Sequence, residues 1–156
     1  MPHRRPPRLP TFDYRGAHRY FVTCCAAERR RVFVEGDFVQ VLVQQILHAA
    51  SEHGFAVLAY VFMPNHLHLL VEGQTADADF RAFMRFLRRR TALEYRRLTL
   101  LELWQNGYYE RVLRRDEATP AIISYILGNP VRAGLVENAT DYRFGWTIDL
   151  DACQRI

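Results

Sequence analysis

Two histidines one residue apart, His66 and His68, are the sharpest chemical feature of the sequence. On an extended strand, residues i and i+2 share one face, about 6.6 Å apart along the chain. Two neutral imidazoles so placed can converge on one divalent cation. Leu67, Leu69 and Val71 then point the opposite way, toward a core. Two surface histidines on a strand have the same spacing. The setting separates the readings: the pair directly follows the turn-forming triplet Met63-Pro64-Asn65, inside an otherwise apolar run.

A second feature is Tyr125, within Ile122-Ile123-Ser124-Tyr125-Ile126-Leu127-Gly128-Asn129-Pro130. On a helix, Tyr125 and Asn129 are an i,i+4 pair and share a face. Ile123, Ile126 and Leu127 are better placed to anchor such a helix. A tyrosine in an apolar helix is ordinarily core, its hydroxyl tied to a partner. The third feature is Arg81, Arg85, Arg88 and Arg89, spaced i, i+4, i+7, i+8 along one helix face. A solvated helix side usually mixes charge signs, and this one does not.

The rest of the chain must position these groups. Its 156 residues suit one domain, and 49% of them are apolar, enough for a core without disulfides. Cys24, Cys25 and Cys153 form neither a CxxC pair nor an even framework, which suits a reducing compartment. No run of about eighteen apolar residues exists to span a membrane. The N-terminus is basic and proline-rich without a following apolar signal segment. A cytoplasmic location is therefore expected. All 21 basic residues are arginine. Eight fall within residues 1–31 and seven within 81–97. Two such basic blocks suggest a polyanionic partner.

Residues 1–10 read as an irregular arm. Tyr20 to Cys25 is rich in strand formers. Asp37 can cap a helix reaching about His53, with Gly54 as its stop. Its apolar positions are Phe38, Val39, Leu42, Val43, Ile46, Leu47 and Ala50, a helical period. Phe55–Met63 and His66–Val71 read as a hairpin. A second helix covers about Asp79 to Leu98, with Phe80, Phe83, Met84, Leu87, Tyr95 and Leu98 on its apolar side. A short strand fits Tyr108 to Leu113. The last helix starts near Glu117 or Pro120 and must end near Asn129, because Pro130 follows. The order β-α-β-β-α-β-α predicts an α+β fold: a ferredoxin-like split βαβ arrangement with an antiparallel sheet, helices on one face and an added C-terminal helix.

Several segments together resemble a known family. The stretch Ala59 to Val71, containing Pro64-Asn65-His66-Leu67-His68, resembles the HUH motif region of single-tyrosine transposases. Leu103-Trp104-Gln105, Tyr109 to Arg114, and Tyr125 to Val136 resemble later blocks of that family, in particular its REP-associated branch. The likeness covers roughly residues 11–146, between the arm (1–10) and a tail (147–156). Asp141 to Trp146 departs from the family's usual proline-containing ending.

The resemblance implies an endonuclease and strand transferase that forms a 5′-phosphotyrosine link on single-stranded or hairpin DNA. It implies Tyr125 as nucleophile, His66 and His68 as metal ligands, and Asn129 completing the protein shell of a Mg²⁺ or Mn²⁺ ion. No organic cofactor is implied, and the protein could be a monomer or homodimer. Arg4, Arg5 and Arg8 of the arm, with Arg81, Arg85, Arg88 and Arg89, are the candidate DNA grip. Tyr108 and Tyr109 rival Tyr125 as nucleophile. A domesticated protein that processes chromosomal repeats would keep the same site. A ferredoxin-like nucleic-acid-binding module would instead need aromatic stacking residues on its central strands, where this sequence has histidines and leucines.

Overall fold

The computed structural model describes residues 9–148. Arg4, Arg5 and Arg8, Cys153 and the tail beyond Ile148 lie outside the described residues. Within them the chain forms β1 (Arg19–Cys25), α1 (Gly36–His53), β2 (Phe55–Met63), β3 (His66–Gly73), α2 (Phe80–Thr99), β4 (Tyr109–Val112), α3 (Thr119–Leu127), α4 (Asn129–Arg132) and β5 (Gly145–Thr147). The strands make one antiparallel sheet in the order β4-β1-β3-β2-β5. The expected split βαβ plan is present, with β1 and β3 side by side at the centre.

Alternation along the strands divides the sheet into two faces. Leu67, Leu69 and Val71 of β3 join Tyr20, Val22 and Cys24 of β1 in a core capped by α1 and α2. Leu42 and Ile46 come from α1, and Phe80, Phe83 and Leu87 from α2, all essentially without solvent contact. Tyr20 stacks on Phe80 with ring centroids 3.9 Å apart. Each fully buried side chain of this size contributes about 1.5–3 kcal/mol. The opposite face carries a smaller cluster, in which Ala59, Val61, Met63 and Leu70 meet Ile123, Ile126 and Leu127 of α3. The last helix therefore lies on the face that also bears His66 and His68.

Helix ends follow local chemistry. Asp79 caps α2 by accepting a hydrogen bond from the Ala82 amide at 3.0 Å. Gly54 ends α1 in the left-handed region, at φ 70°. Gly73 serves a close approach: a Cβ there would sit 2.0 Å from the Gly16 carbonyl oxygen.

Some expectations shift. The N-cap of α1 is Glu35, and Asp37 lies in the first turn, where its charge complements the helix dipole. Leu47 and Leu98 follow the helical period but are exposed, because no element among the described residues reaches over them. Helix α3 closes at Leu127, and Pro130 starts rather than blocks the next turn, since the first turn of a helix needs no proline N–H. Strand β5 is not expected from the sequence: three residues are too few for a pattern, and pairing with Ala59 to Val61 of β2 defines it.

One buried polar link ties α2 to the segment before β4. Trp104 Nε1 donates to Thr91 Oγ1 at 2.8 Å, and Thr91 donates to the Leu87 carbonyl. Thr91→Val keeps the volume but strands the indole N–H. The expected loss is about 1–3 kcal/mol in urea unfolding, with an unchanged m-value.

Candidate active site

The β2–β3 turn at Pro64 and Asn65 delivers His66 and His68 to the face bearing α3. Both rings are half-buried. Their planes stand at 83° and their Nε2 atoms lie 3.2 Å apart. Each ring is held from behind. His66 Nδ1 is 2.7 Å from Asn65 Oδ1, and His68 Nδ1 is 2.9 Å from the Thr23 hydroxyl. Thr23 sits directly across from His68 in the β1–β3 register.

This spacing fits a shared ion. Adjacent ligands at about 2.0–2.1 Å from an octahedral cation are themselves about 3 Å apart. No group of three or more His, Cys, Asp or Glu side chains is arranged to hold a metal among the described residues.

Tyr125 is 54% exposed on α3, while Ile123, Ile126 and Leu127 hold the helix down. Its ring is not core packing. It stands edge-on to Phe21 at 6.2 Å, and Phe21 in turn lies 5.5 Å from the His68 ring. A single phenylalanine therefore bridges the tyrosine and the histidine pair. Arg132 donates to the Tyr125 carbonyl at 2.5 Å and places its guanidinium 4.5 Å from the Tyr125 ring centre. Arg19 steadies the approach to α3: it donates to the carbonyls of Arg114 and Glu117 and to the Thr119 hydroxyl.

Asn129 is placed differently. Its Nδ2 donates to the carbonyls of Tyr125 and Ile126, at 3.3 and 3.0 Å. Its hydrogen bonds go to the end of α3 rather than to either histidine.

The rival tyrosines separate. Tyr108 belongs to the α2 side, 6.3 Å from Phe80 and 5.5 Å from the Arg88 guanidinium. Tyr109 pairs with Thr23 and so shares the histidine face. Burial pushes the Tyr20 phenol far above its ordinary range. Burial raises Tyr60 too, and it raises Tyr142 against the opposing pull of Arg31 and Arg143. Tyr142 donates to the Phe62 carbonyl at 2.6 Å.

The arginine stripe is not uniform. Arg81, Arg85 and Arg89 are exposed, with Arg81 4.5 Å over the Tyr14 ring. Arg88 is half-buried, donates to the Gln105 carbonyl at 2.7 Å, and has a buried Nε with no hydrogen-bond partner among the described residues. The stripe lies on α2, across the sheet from the histidines. Thr23, Phe21 and Arg132 escape sequence reading. The first two need the β1–β3 pairing to be known. The i,i+7 spacing of Arg132 from Tyr125 is the only sequence signal for the third.

One face of the antiparallel α+β sheet thus carries both the histidine pair and a helix-borne, exposed tyrosine. The sequence profile described as "Transposase IS200 like" matches residues 15–129. The chain belongs to the IS200-like transposase family, a family of enzymes. It is similar to the REP-associated tyrosine transposase of Escherichia coli, with 25% identity over 80% of this chain and 73% of that one. An uncharacterized Haemophilus influenzae protein shares 24% identity over 83% of this chain and 89% of its own length. The fold is that of a solved REP-associated tyrosine transposase bound to a REP hairpin. The TM-score is 0.72 and the identity 22%, covering 93% of this chain and 82% of that one. No helix among the described residues is long and apolar enough to cross a membrane.

The unequal arginines give a stability test. Arg88→Ala removes a half-buried side chain and its bond to the Gln105 carbonyl, and should lower stability by about 1 kcal/mol. Arg85→Ala should stay within about 0.5 kcal/mol of the unmutated protein in the same urea titration.

Proposed function

We propose that the protein cleaves and rejoins single-stranded DNA with Tyr125 as nucleophile. The observation that carries this reading is the convergence of the two Nε2 atoms, 3.2 Å apart, on the face where α3 exposes Tyr125. In the proposed reaction, the Tyr125 hydroxyl oxygen bonds to a backbone phosphorus and loses its proton to solvent. The bond from phosphorus to the 3′ oxygen breaks, and that oxygen leaves as a free 3′-hydroxyl. The 5′ phosphate stays on the tyrosine, so a later 3′-hydroxyl can reverse the step and join a new strand.

A phenol ionises near pH 10 and is a poor nucleophile at neutral pH without help. His66 and His68 would hold a Mg²⁺ or Mn²⁺ ion, which when bound polarises the phosphate and offsets charge on the leaving oxygen. Asn129 would supply an amide oxygen to the same shell once its side chain turns from the α3 carbonyls. Arg132, its guanidinium 4.5 Å from the Tyr125 ring centre, would offer a cation to the phosphate under attack. The anchoring residues of α3 pack on their own chain's sheet.

The DNA is single-stranded or hairpin-containing, in line with the hairpin bound by the solved relative. Arg81, Arg85 and Arg89, with Arg88 behind them and Arg4, Arg5 and Arg8 of the N-terminal arm, would grip its phosphates.

Incubation with hairpin DNA and Mn²⁺ tests the reaction. A covalent adduct should form whose labelled peptide contains Tyr125; label on a Tyr109 peptide would reject the assignment. Tyr125→Phe should abolish adduct while DNA binding persists, and His66→Ala should abolish cleavage while folding persists. A mixture of these two variants should remain inactive if the tyrosine acts within its own chain; restored cleavage would mean exchange between subunits.

The grip has its own test. Arg85→Glu with Arg89→Glu should weaken hairpin binding and flatten its salt dependence. An unchanged salt slope would make the stripe a solvated helix face only.

A further inference from the structure

A cleft of about 340 Å³ opens at the end of the sheet where β2 turns into β3. Phe33 and Pro64 line it on the turn side. Leu135 and Val136 come from the chain after α4, and Tyr142 and Phe144 from the segment before β5. Tyr142 packs with the cluster on the histidine face, whereas Phe33 and Phe144 pack on the main core. The cleft therefore lies across the seam between the two sides of the sheet. Pro64 precedes His66 by two residues, at most about 7 Å of chain. Three hydrogen bonds tie the lining to the hairpin that carries the histidines. The Phe33 amide donates to the Pro64 carbonyl at 3.0 Å, the Phe62 amide to the Phe144 carbonyl at 2.8 Å, and the Tyr142 hydroxyl to the Phe62 carbonyl at 2.6 Å.

The lining suits a flat ring with a polar edge. It is aromatic and aliphatic apart from Asp141 and Arg143, both exposed. The Tyr142 and Phe144 rings stand at 89° with centroids 5.9 Å apart, so a planar group meets one ring face and one ring edge. The Arg143 guanidinium lies 4.5 Å from the Phe144 ring centre and spends one N–H on the Val34 carbonyl at 3.4 Å. A guanidinium has five N–H donors, so others serve a phosphate, and its plane stacks on aromatic rings. The Asp141 carboxylate only accepts. One of its oxygens takes the Asn138 amide N–H at 3.2 Å, which leaves the other for a donor from a ligand. The volume falls near the lower end of small-molecule sites, about 300–1,000 Å³, and fits one nucleotide rather than a base pair. An aliphatic side chain of a partner protein would fill the apolar part and leave both charged groups unused.

We propose that this cleft seats one unpaired nucleobase of the DNA strand beside the histidine pair, that Arg143 holds its phosphate, and that Asp141 selects bases with an exocyclic amino group. The free carboxylate oxygen accepts an amino hydrogen, as acidic side chains accept from cytosine N4. Thymine and uracil present carbonyl oxygens there, which the carboxylate repels. This inference deepens the proposed action on single-stranded DNA and rests on that reading. Seating a base needs neither a metal ion nor Tyr125, so the two can fail separately.

Deoxycytidine and deoxyuridine 5′-monophosphates differ in this one group. Each is titrated into nitrogen-15-labelled protein with a chelator present. Deoxycytidine monophosphate should shift the Val34, Leu135 and Phe144 amides saturably, and bind about 5–10-fold more tightly than the uracil nucleotide. Asp141→Asn should abolish or reverse that preference. Arg143→Ala should weaken both nucleotides alike. Both side chains are exposed, so these variants should keep the fold, which their amide spectra report. Leu135→Trp, which fills the cleft from an exposed position, should remove the shifts. Saturable shifts away from the cleft, equal affinity for the two nucleotides, or a cytosine preference that survives Asp141→Asn would overturn the proposal. A Tyr125 adduct on DNA with no nucleotide seated in the cleft would overturn this inference alone. A seated nucleotide in a protein that forms no adduct would support the cleft and reject the cleavage reading.

Discussion

A β-strand sends alternate side chains to opposite faces, and β3 depends on this for both folding and chemistry. Leu67, Leu69 and Val71 close the main core against α1 and α2. His66 and His68, interleaved with them, stand on the other side with their Nε2 atoms facing. A register slip of one residue would bury the imidazoles and expose the leucines, so the energy that holds the core also holds the site. The pairing of β3 with β1 extends the constraint, because it sets Thr23 opposite His68. Ring orientation is thus governed by strand register rather than by a flexible loop.

The second face is built on a different balance. Three apolar side chains of α3 fasten it to the sheet, and Tyr125 projects from between them into solvent. Phe21 fills the gap between the tyrosine and the histidine pair. The attachment is small beside the main core, resting on one short helix and a few strand residues. A helix so attached would suit the proposed reaction, in which it holds Tyr125 near a phosphate and later lets a second strand enter, since elements of low local stability are those that move.

Charge is distributed over both sides of the sheet. The exposed arginines of α2 lie behind the sheet, while Arg132 lies beside Tyr125 on the histidine face. On the proposed function, a strand gripped by α2 would have to pass around an edge of the sheet to meet the histidines. Holding and reacting would then be separate surfaces, and Arg88, tied to the Gln105 carbonyl, also links α2 to the segment before β4.

Much of this was legible in the sequence. Periodicity placed α1, α2 and the β2–β3 hairpin within a residue or two, because each is long enough to show its pattern. The spacing of His66 and His68 fixed their common face, since alternation is a local property of the backbone. The amphipathic period also showed Ile123, Ile126 and Leu127 as the anchors of α3, leaving Tyr125 elsewhere on its surface. Strand β5, with three residues, carried no pattern and exists only through its pairing with β2. The arginine stripe looked uniform, yet Arg88 is half-buried because the segment around Gln105 folds back over it. Thr23, Phe21 and Arg132 meet their partners across 45, 104 and 7 residues of chain. Local sequence determines which face a side chain occupies. Which side chains from distant strands meet it there is decided by pairing and packing, and these depend on the whole fold.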